Sequence, residues 1–534
     1  MSSLRVAVVP CDGIGVEVIA EAVKVADALS DVSGGALFEL RFPSVDTAIA
    51  LRDGVDETIE RIRVATQDVD SVLFGAIGRP DLGKDPRAGE FARKLLLQTF
   101  RGNASAVVDS RVNPGFGNNV NVRPAQVIHE SQALSDYQLT RISARKHNFR
   151  NVYQVGSAES SIREAVIDWA GASAVEVREI HLKAEYKQAA INACRDAVKA
   201  FRHSQNKPQV IIVHKANVHE LSQGTFIKDL VQELNQEFGA RVEVIQQHTD
   251  IALTNLIKYT DKFPEFIVAD PCDAYVISDA LTALNQNQQR VRVYPGWDVK
   301  IYRENLEDSY ISIGESYEFR SGGVQIGRHT DFLIRENIKA ALAEVIRMRL
   351  STLHIILDSK NYPLTSKLWN EVALEVVKGT GIKIKPIESS EFMLKLVVDP
   401  CSLSPGVYAS RNKFGDYKSD AAIAHSGGVG EAASFSFSSN DYTLGHGKPT
   451  LAEPVAGSAL DGNGRRTVEQ PNPDAAIASL EMMLVGHSFS AEANLSELQD
   501  LPHKGWSSLH PISEVLITTS WKFCCKTYYY LNLS

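Results

Sequence analysis

The sequence predicts an α/β fold with a mostly parallel sheet, part of it built from a segment present twice. Three observations carry this. Arg5–Pro10 (RVAVVP) reads as a buried strand, followed by the turn CDGIG and an apolar-periodic helix over Val16–Leu29. Asp70–Gly75 (DSVLFG) reads as a second buried strand, ending in the loop AIGRP. Two later segments then run through the same features in the same order.

The first of these contains VIIVHKANVHELSQGTF, HTDIALTNLI and EFIVADPCDAYVISDAL, and the second contains LHIILDSKNYPLTSKLW, SSEFMLKLV and VYASRNKFGDYKSDAAI. Each reads as a strand, a Lys-Asn turn, a helix, a short helix, a strand and a helix opening with Ser-Asp. Asp279 and Asp420 are 141 residues apart, and Phe226 and Trp369 are 143 apart. That period is too long for a solenoid and implies a duplicated subdomain. Residues 101–120, rich in Gly, Asn and Ser, read as an irregular insertion. The segment after about residue 488, ending WKFCCKTYYYLNLS, loses the pattern and reads as an atypical tail.

Size and composition bound the function. The chain has 534 residues, 44% of them apolar and 23% charged, which is ordinary globular composition. A net charge of −9 argues against a nucleic-acid partner, but a local arginine cluster can still bind a small anion. No apolar run is long enough to span a membrane, and MSSLRVAVVP enters a strand pattern without a signal-peptide core. Cys11, Cys194, Cys272, Cys401, Cys524 and Cys525 show no zinc spacing, so a reducing, cytoplasmic setting is expected.

The most informative motif is NKFGDYKSDAAIAHSGGVG, over residues 412–430. Asp416 and Asp420 are four apart and project from one face of a helix. Two such carboxylates repel unless a cation lies between them, and hard oxygen ligands suit Mg²⁺ or Mn²⁺. CDGIGVEVIAEAVKVADA is a glycine turn opening a helix, where free N–H groups can face an anion or a cofactor. FGAIGRP forms a second glycine loop.

Together these motifs resemble the isocitrate/isopropylmalate dehydrogenase family of metal-dependent β-decarboxylating dehydrogenases, closest in character to 3-isopropylmalate dehydrogenases. NKFGDYKSD resembles the family's NLFGDILSD signature, CDGIGVE its GDGIGPE turn, and VYPGWDVKIYRENLEDSY its REN-x-E-x-x-Y pattern. LAEPVAGSALDGNGRR resembles the adenine-ribose loop EPVHGSAPDI, with Ala456 where the family has histidine.

The resemblance implies an isopropylmalate dehydrogenase-like fold: a cofactor domain over 1–120 and 422–487, a first central repeat over 121–285, a second over 286–421, and the tail over 488–534. It implies NAD and Mg²⁺ or Mn²⁺ as cofactors. Gly13, Ile14, Gly75, Glu453, Gly457, Asp461 and Asn472 match cofactor-binding positions. A carboxylate at Asp461 would accept from a ribose 2′-hydroxyl and repel a 2′-phosphate. Arg93, Arg123 and Arg303 match the arginines that bind a dicarboxylate. Lys215 and Tyr310 match the catalytic base and acid, and Asp250, Asp416 and Asp420 match the metal ligands.

In the family the site is shared across a homodimer, one subunit giving the lysine and third aspartate. Here the losses are complementary. The first repeat keeps Lys215, Asn217 and Asp250, but has Tyr275 in place of the first GD…SD aspartate. The second keeps Arg303, Tyr310, Asp416 and Asp420, but reads Ser359 and Ser390 at the lysine and third-aspartate positions. The expectation is that the repeats pair as an internal dimer and complete one site within a monomer, a homodimer being the alternative. The implied reaction is oxidation of a secondary alcohol followed by loss of the β-carboxylate. The substrate would be a 2-hydroxy dicarboxylate such as 3-isopropylmalate, with tartrate, malate or isocitrate as other types. The pair Glu90–Phe91, beside the side-group pocket, matches neither an isopropyl nor an isocitrate pocket. Cys11, Tyr275 and Ala456 depart from the family pattern, and a non-catalytic relative is the competing expectation.

Overall fold

The computed structural model describes residues 3–33, 37–82, 85–100, 120–126, 151–169, 171–216, 220–259, 262–272, 274–285, 298–309, 316–425, 428, 430–437, 450–455, 457–459, 466, 468–469 and 471–490. The chain folds as two units, residues 1–123 with 429–534, and residues 124–428. The 101–119 insertion and the tail beyond 490 lie outside the described residues.

The first unit begins with β1 (Leu4–Cys11), α1 (Gly15–Ser33), β2 (Phe38–Arg41), α2 (Thr47–Asp53), α3 (Val55–Ala65), β3 (Ser71–Ala76), α4 (Pro86–Arg93) and β4 (Val120–Gln126). Val6–Val9 are buried, so β1 is a central strand, flanked in parallel by β2 and β3. The Asp46 carboxylate caps α2 by accepting from Ile49 N at 2.7 Å. A core of Val9, Phe74, Phe91, Leu95 and Phe100 fills one face. Each such side chain stabilises by roughly 1.5–3 kcal/mol.

The second unit holds both repeats. The first repeat runs β5 (Asn151–Gln154), α5 (Ala158–Ser161), β6 (Ile162–Trp169), β7 (Ala172–Leu182), α6 (Lys183–Ala200), β8 (Gln209–His214), α7 (Thr225–Phe238), β9 (Glu243–His248), α8 (Thr249–Lys258), β10 (Phe266–Ala269) and α9 (Tyr275–Asn285). The second runs β11 (Asp298–Glu304), β12 (Ser316–Phe319), β13 (Gly322–Thr330), α10 (Asp331–Arg347), β14 (Thr352–Leu357), α11 (Pro363–Val376), β15 (Lys383–Glu388), α12 (Ser389–Val398), β16 (Gly406–Ser410) and α13 (Asn412–Ile423). The order is the same, apart from the short helix α5. The parallel strands pair as β5-β10-β8-β9 in one repeat and β11-β16-β14-β15 in the other.

The repeats join through an antiparallel sheet, β12-β13-β7-β6, in which β7 meets β13. Val177 pairs with Gly327, and Glu179 with Gln325. Val175 pairs with His329, and His181 with Gly323. His181 and His329 occupy equivalent positions, since each lies near the end of its long strand, just before a helix. The register is therefore self-reciprocal about the Arg178–Ile326 pair, as in an isologous two-fold interface. Helix packing obeys the same rule: α8 packs on α13, and α9 on α12.

The first unit closes with β17 (Ala433–Phe437), β18 (Thr450–Pro454) and α14 (Asp474–Ser490). β18 lies parallel to β3, and β17 lies antiparallel to both β18 and β4.

Candidate active site

Two features of the first repeat hold Lys215. It follows β8 by one residue, and its backbone N donates to Gln223 Oε1 at 2.9 Å. The buried Gln223 amide in turn donates to Asp270 Oδ2 at 2.8 Å and to the Tyr186 hydroxyl at 3.1 Å. Asp250 lies in the first turn of α8, and Thr249 Oγ1 ties that turn to β8 by donating to His214 O at 3.1 Å.

The second repeat supplies the facing groups. Asp416 and Asp420 lie on α13, which is buried along its length, and Arg303 lies on β11. Lys215 Nζ is 3.3 Å from Asp250 Oδ2 and 3.2 Å from Asp416 Oδ2. Arg303 Nη1 is 2.5 Å from Asp416 Oδ1, and Arg303 Nε donates to Asn412 Oδ1 at 2.8 Å. Gly415 is required here, because a Cβ at that position would stand 2.7 Å from Arg303 Cγ. Burial alone would lower the Lys215 pKa, but Asp250, Asp416 and Asp420 together outweigh it and raise it above the usual lysine range.

The donor set fits a divalent cation. It consists of hard carboxylates, and Asp250 Oδ1 is buried with no hydrogen-bond partner among the described residues. The three aspartates do not bring ligand atoms within 4.8 Å of one another, as the Lys215 ammonium bridges two of them. Among the described residues the one trio that does is His181, Asp270 and Cys272. There Asp270 is already engaged by Gln223, Tyr186 and the Cys272 backbone N–H.

The turn after β11 is pinned by buried acids. Glu304 Oε1 accepts from Leu306 N at 2.5 Å, and Glu307 Oε2 accepts from Thr330 N at 2.6 Å. Burial pushes the Glu307 carboxyl up to about 8. Asp308, at φ +79°, accepts from Arg411 Nε at 2.9 Å. Tyr310 follows and lies outside the described residues.

The strand register revises one alignment. Asp358 follows β14 as Lys215 follows β8, and its N donates to Ser366 Oγ, eight residues on, just as Lys215 N donates to Gln223. Asp358, rather than Ser359, therefore stands at the lysine position of the second repeat. Aligning Asn217 with Asn361 puts Ser359 at that position, one residue away from the one the strands define.

The cofactor-type positions belong to the first unit. Asp12, which motif matching passed over, accepts from Thr47 Oγ1 at 2.6 Å and from Gly78 N at 2.9 Å, tying the two glycine loops together. Gly13 has φ +56°, and a Cβ there would lie 2.1 Å from Ser458 O. Ile14 N donates to the same oxygen at 3.1 Å. Gly75 packs equally closely on Pro10 O. These glycines are thus demanded by the chain's own packing. Gly457 differs: among the described residues no atom lies within 4 Å of its Cβ direction, which leaves room for a ligand beside the backbone. Glu453, on β18, accepts from Ser434 Oγ at 3.4 Å, and Asn472 Oδ1 accepts from Asp474 N at the start of α14. Asp461 and Ala456 lie outside the described residues. Arg123, on β4, is buried; Arg93 ends α4, and its side chain lies outside what is described. Among the described residues no helix is long and apolar enough to cross a membrane.

The isocitrate/isopropylmalate dehydrogenase family model matches the chain twice, over residues 5–286 and 281–500. The 3-isopropylmalate dehydrogenase of Nitratidesulfovibrio vulgaris is 31% identical over 204 residues, which is 37% of this chain and 53% of that protein. The isocitrate/homoisocitrate dehydrogenase of Pyrococcus horikoshii is 29% identical over 203 residues, 36% of this chain and 52% of that one. The solved isocitrate dehydrogenase of Methylococcus capsulatus aligns with 91% of this chain and 86% of its own, at 14% identity and a TM-score of 0.43. The chain spans about half the length of the curated relatives it matches. The two family matches cover the sheet, both repeats and every residue placed above, and the chain belongs to the isocitrate/isopropylmalate dehydrogenase family.

Proposed function

We propose that this chain is an NAD-linked, divalent-metal-dependent dehydrogenase that oxidises and decarboxylates a 2-hydroxy dicarboxylate of the 3-isopropylmalate type. One site serves the whole chain, and the two repeats complete it without a second subunit. The observation that carries this is the meeting of Lys215 and Asp250 from one repeat with Arg303 and Asp416 from the other.

Asp250, Asp416 and Asp420 would hold the cation, and the loops around Gly13, Gly75 and Gly457 would hold the dinucleotide. When bound, the cation supplies Lewis acidity at the substrate hydroxyl, and the nicotinamide supplies the hydride acceptor. Arg303, with Arg93 and Arg123 as further candidates, binds substrate carboxylates bidentately. Its 2.5 Å contact with Asp416 Oδ1 supports that role. Lys215 removes the hydroxyl proton. In the bare site three carboxylates keep that lysine protonated. Neutralising them leaves burial to lower its pKa, which a base near neutral pH needs. Tyr310 is the proposed acid that returns a proton to the substrate carbon.

The test is NADH formation, followed by its near-ultraviolet absorbance, with Mn²⁺ and each of 3-isopropylmalate, isocitrate, tartrate and malate, repeated with EDTA. Turnover on one of them that EDTA abolishes is expected. Folded protein inactive on all four would overturn the proposal in favour of a non-catalytic relative.

A further inference from the structure

The turn that carries Lys215 depends on the direction of one side-chain amide. The Lys215 backbone N–H donates to Gln223 Oε1 at 2.9 Å. The two ends of a carboxamide have nearly the same shape and opposite hydrogen-bonding character. Turned end for end, Gln223 would present its NH₂ group to the Lys215 N–H, donor against donor. Something must therefore fix which end faces the lysine.

Asp270 meets that requirement. Gln223 Nε2 donates to Asp270 Oδ2 at 2.8 Å. A carboxylate offers acceptors only, so it selects the nitrogen end of the amide and leaves the oxygen end for Lys215. The carboxylate is itself held on both oxygens. The Tyr186 hydroxyl donates to Oδ2, and Cys272 N donates to Oδ1 at 2.7 Å. Gln223 Nε2 also lies 3.1 Å from the Tyr186 hydroxyl and 3.2 Å from His181 Nδ1. Gln223, Asp270, Tyr186 and His181 are all buried, where an unmade hydrogen bond costs the full desolvation of its group.

The second repeat supplies an internal comparison. Ile211 pairs with Ile267, and its counterpart His354 pairs with Tyr408. Three residues further along, Asp270 corresponds to Arg411. Gln223 corresponds to Ser366, whose Oγ accepts from Asp358 N at 3.1 Å. Arg411 is a donor, and its Nε is taken by Asp308 at 2.9 Å. The second location thus has neither the amide nor the carboxylate that orients it, and it has no lysine to place. The device occurs only in the repeat that carries the lysine.

We infer that Asp270 is a positioning residue for Lys215. Through the Gln223 amide it fixes the Lys215 backbone, and with it the ammonium between Asp250 and Asp416. Its effect on turnover rests on the proposed role of Lys215 as base, whereas its effect on the Lys215 backbone does not.

The experiment is a polarity swap in the full chain. Asp270→Asn keeps the shape but removes one acceptor. Either Cys272 N–H or Gln223 then loses its partner, unless the Gln223 amide turns over and gives up Lys215. Hydrogen exchange of the Lys215 amide, read by mass spectrometry, should rise by about tenfold or more, as expected for loss of a buried hydrogen bond. Adding Gln223→Glu to Asp270→Asn restores an acceptor to the Lys215 N–H and gives the introduced carboxamide another, so exchange should return to near the parent rate. In turnover, kcat should fall by up to about 10²-fold in the single variant and recover in the double, with KM unchanged. Ser366→Ala, at the equivalent position, should leave Lys215 exchange unchanged. Unaltered exchange in Asp270→Asn, or a double variant that exchanges as fast as the single, overturns the inference. If Asp270→Asn does not fold, Gln223→Met tests the same link from its other end by removing the acceptor. Faster Lys215 exchange is then expected, and unaltered exchange overturns the inference. Exchange needs no turnover, so a chain inactive on every substrate would end the proposed function and leave this measurement standing. Exchange that responds while kcat does not would support the placement of Lys215 and count against its role as base.

Discussion

Lys215 Nζ lies 3.2 Å from Asp416 Oδ2, across 201 residues of sequence and from one repeat to the other. Lys215→Ala is expected to reduce kcat by about 10²–10⁴-fold, the usual contribution of a general base. Lys360→Ala, which alters the lysine beside the equivalent turn of the other repeat, should leave kcat within about twofold, since surface changes away from the chemistry are usually neutral. Steady-state turnover of both variants checks this. The reverse pattern would mean that the catalytic site is built on the other half.

Gly415 leaves room for the Arg303 side chain, and a methyl group there would lie 2.7 Å from its Cγ. Gly415→Ala should push the guanidinium away from Asp416 while α13 remains helical, alanine being the better helix former. A displacement of about an ångström at a positioning group costs up to about 10²-fold in rate. The expected result is a large fall in kcat/KM with an unchanged circular dichroism spectrum.

Lys413 and Glu179 form an ion pair between the repeats, fully buried, at 2.8 Å, with the Tyr362 hydroxyl donating to the same carboxylate at 2.8 Å. Glu179→Ala removes the carboxylate that this ammonium contacts and should destabilise the fold by roughly 3–5 kcal/mol. Replacing both partners with Met should recover much of that loss, because neither charge then remains buried. Urea unfolding of the single and double variants measures the difference.

His354 is stacked on Tyr408 at 4.5 Å, and burial lowers its pKa to about 4. The unfolded chain, with an ordinary histidine near pH 6.5, binds this proton more readily than the folded one. Stability from this residue is therefore full above about pH 6.5 and is lost as pH falls towards about 4, by on the order of 3 kcal/mol. His354→Phe should flatten the stability profile across that window, as read by thermal unfolding at a series of pH values.

Much of this protein was legible from its residues. Arg5–Pro10 and Asp70–Gly75 read as buried strands; the first lies within β1, and the second begins one residue before β3. The spacing of Asp416 and Asp420 places both on one helix without any knowledge of their neighbours. Complementary losses in the two repeats indicated which residues could meet.

Other features depend on contacts that no local pattern encodes. That Gln223 anchors Lys215, that Asp12 ties two glycine loops together, and that Gly415 yields to Arg303 are facts of distance. Asp358 takes the lysine's place because strand pairing counts residues, whereas the shared asparagine of the turn points to Ser359. Sequence periodicity determined the elements of this protein and the inventory of its charged groups. Packing of β7 on β13 decided which charges face each other, because a two-fold register brings together groups hundreds of residues apart and leaves a second, altered copy of the same location.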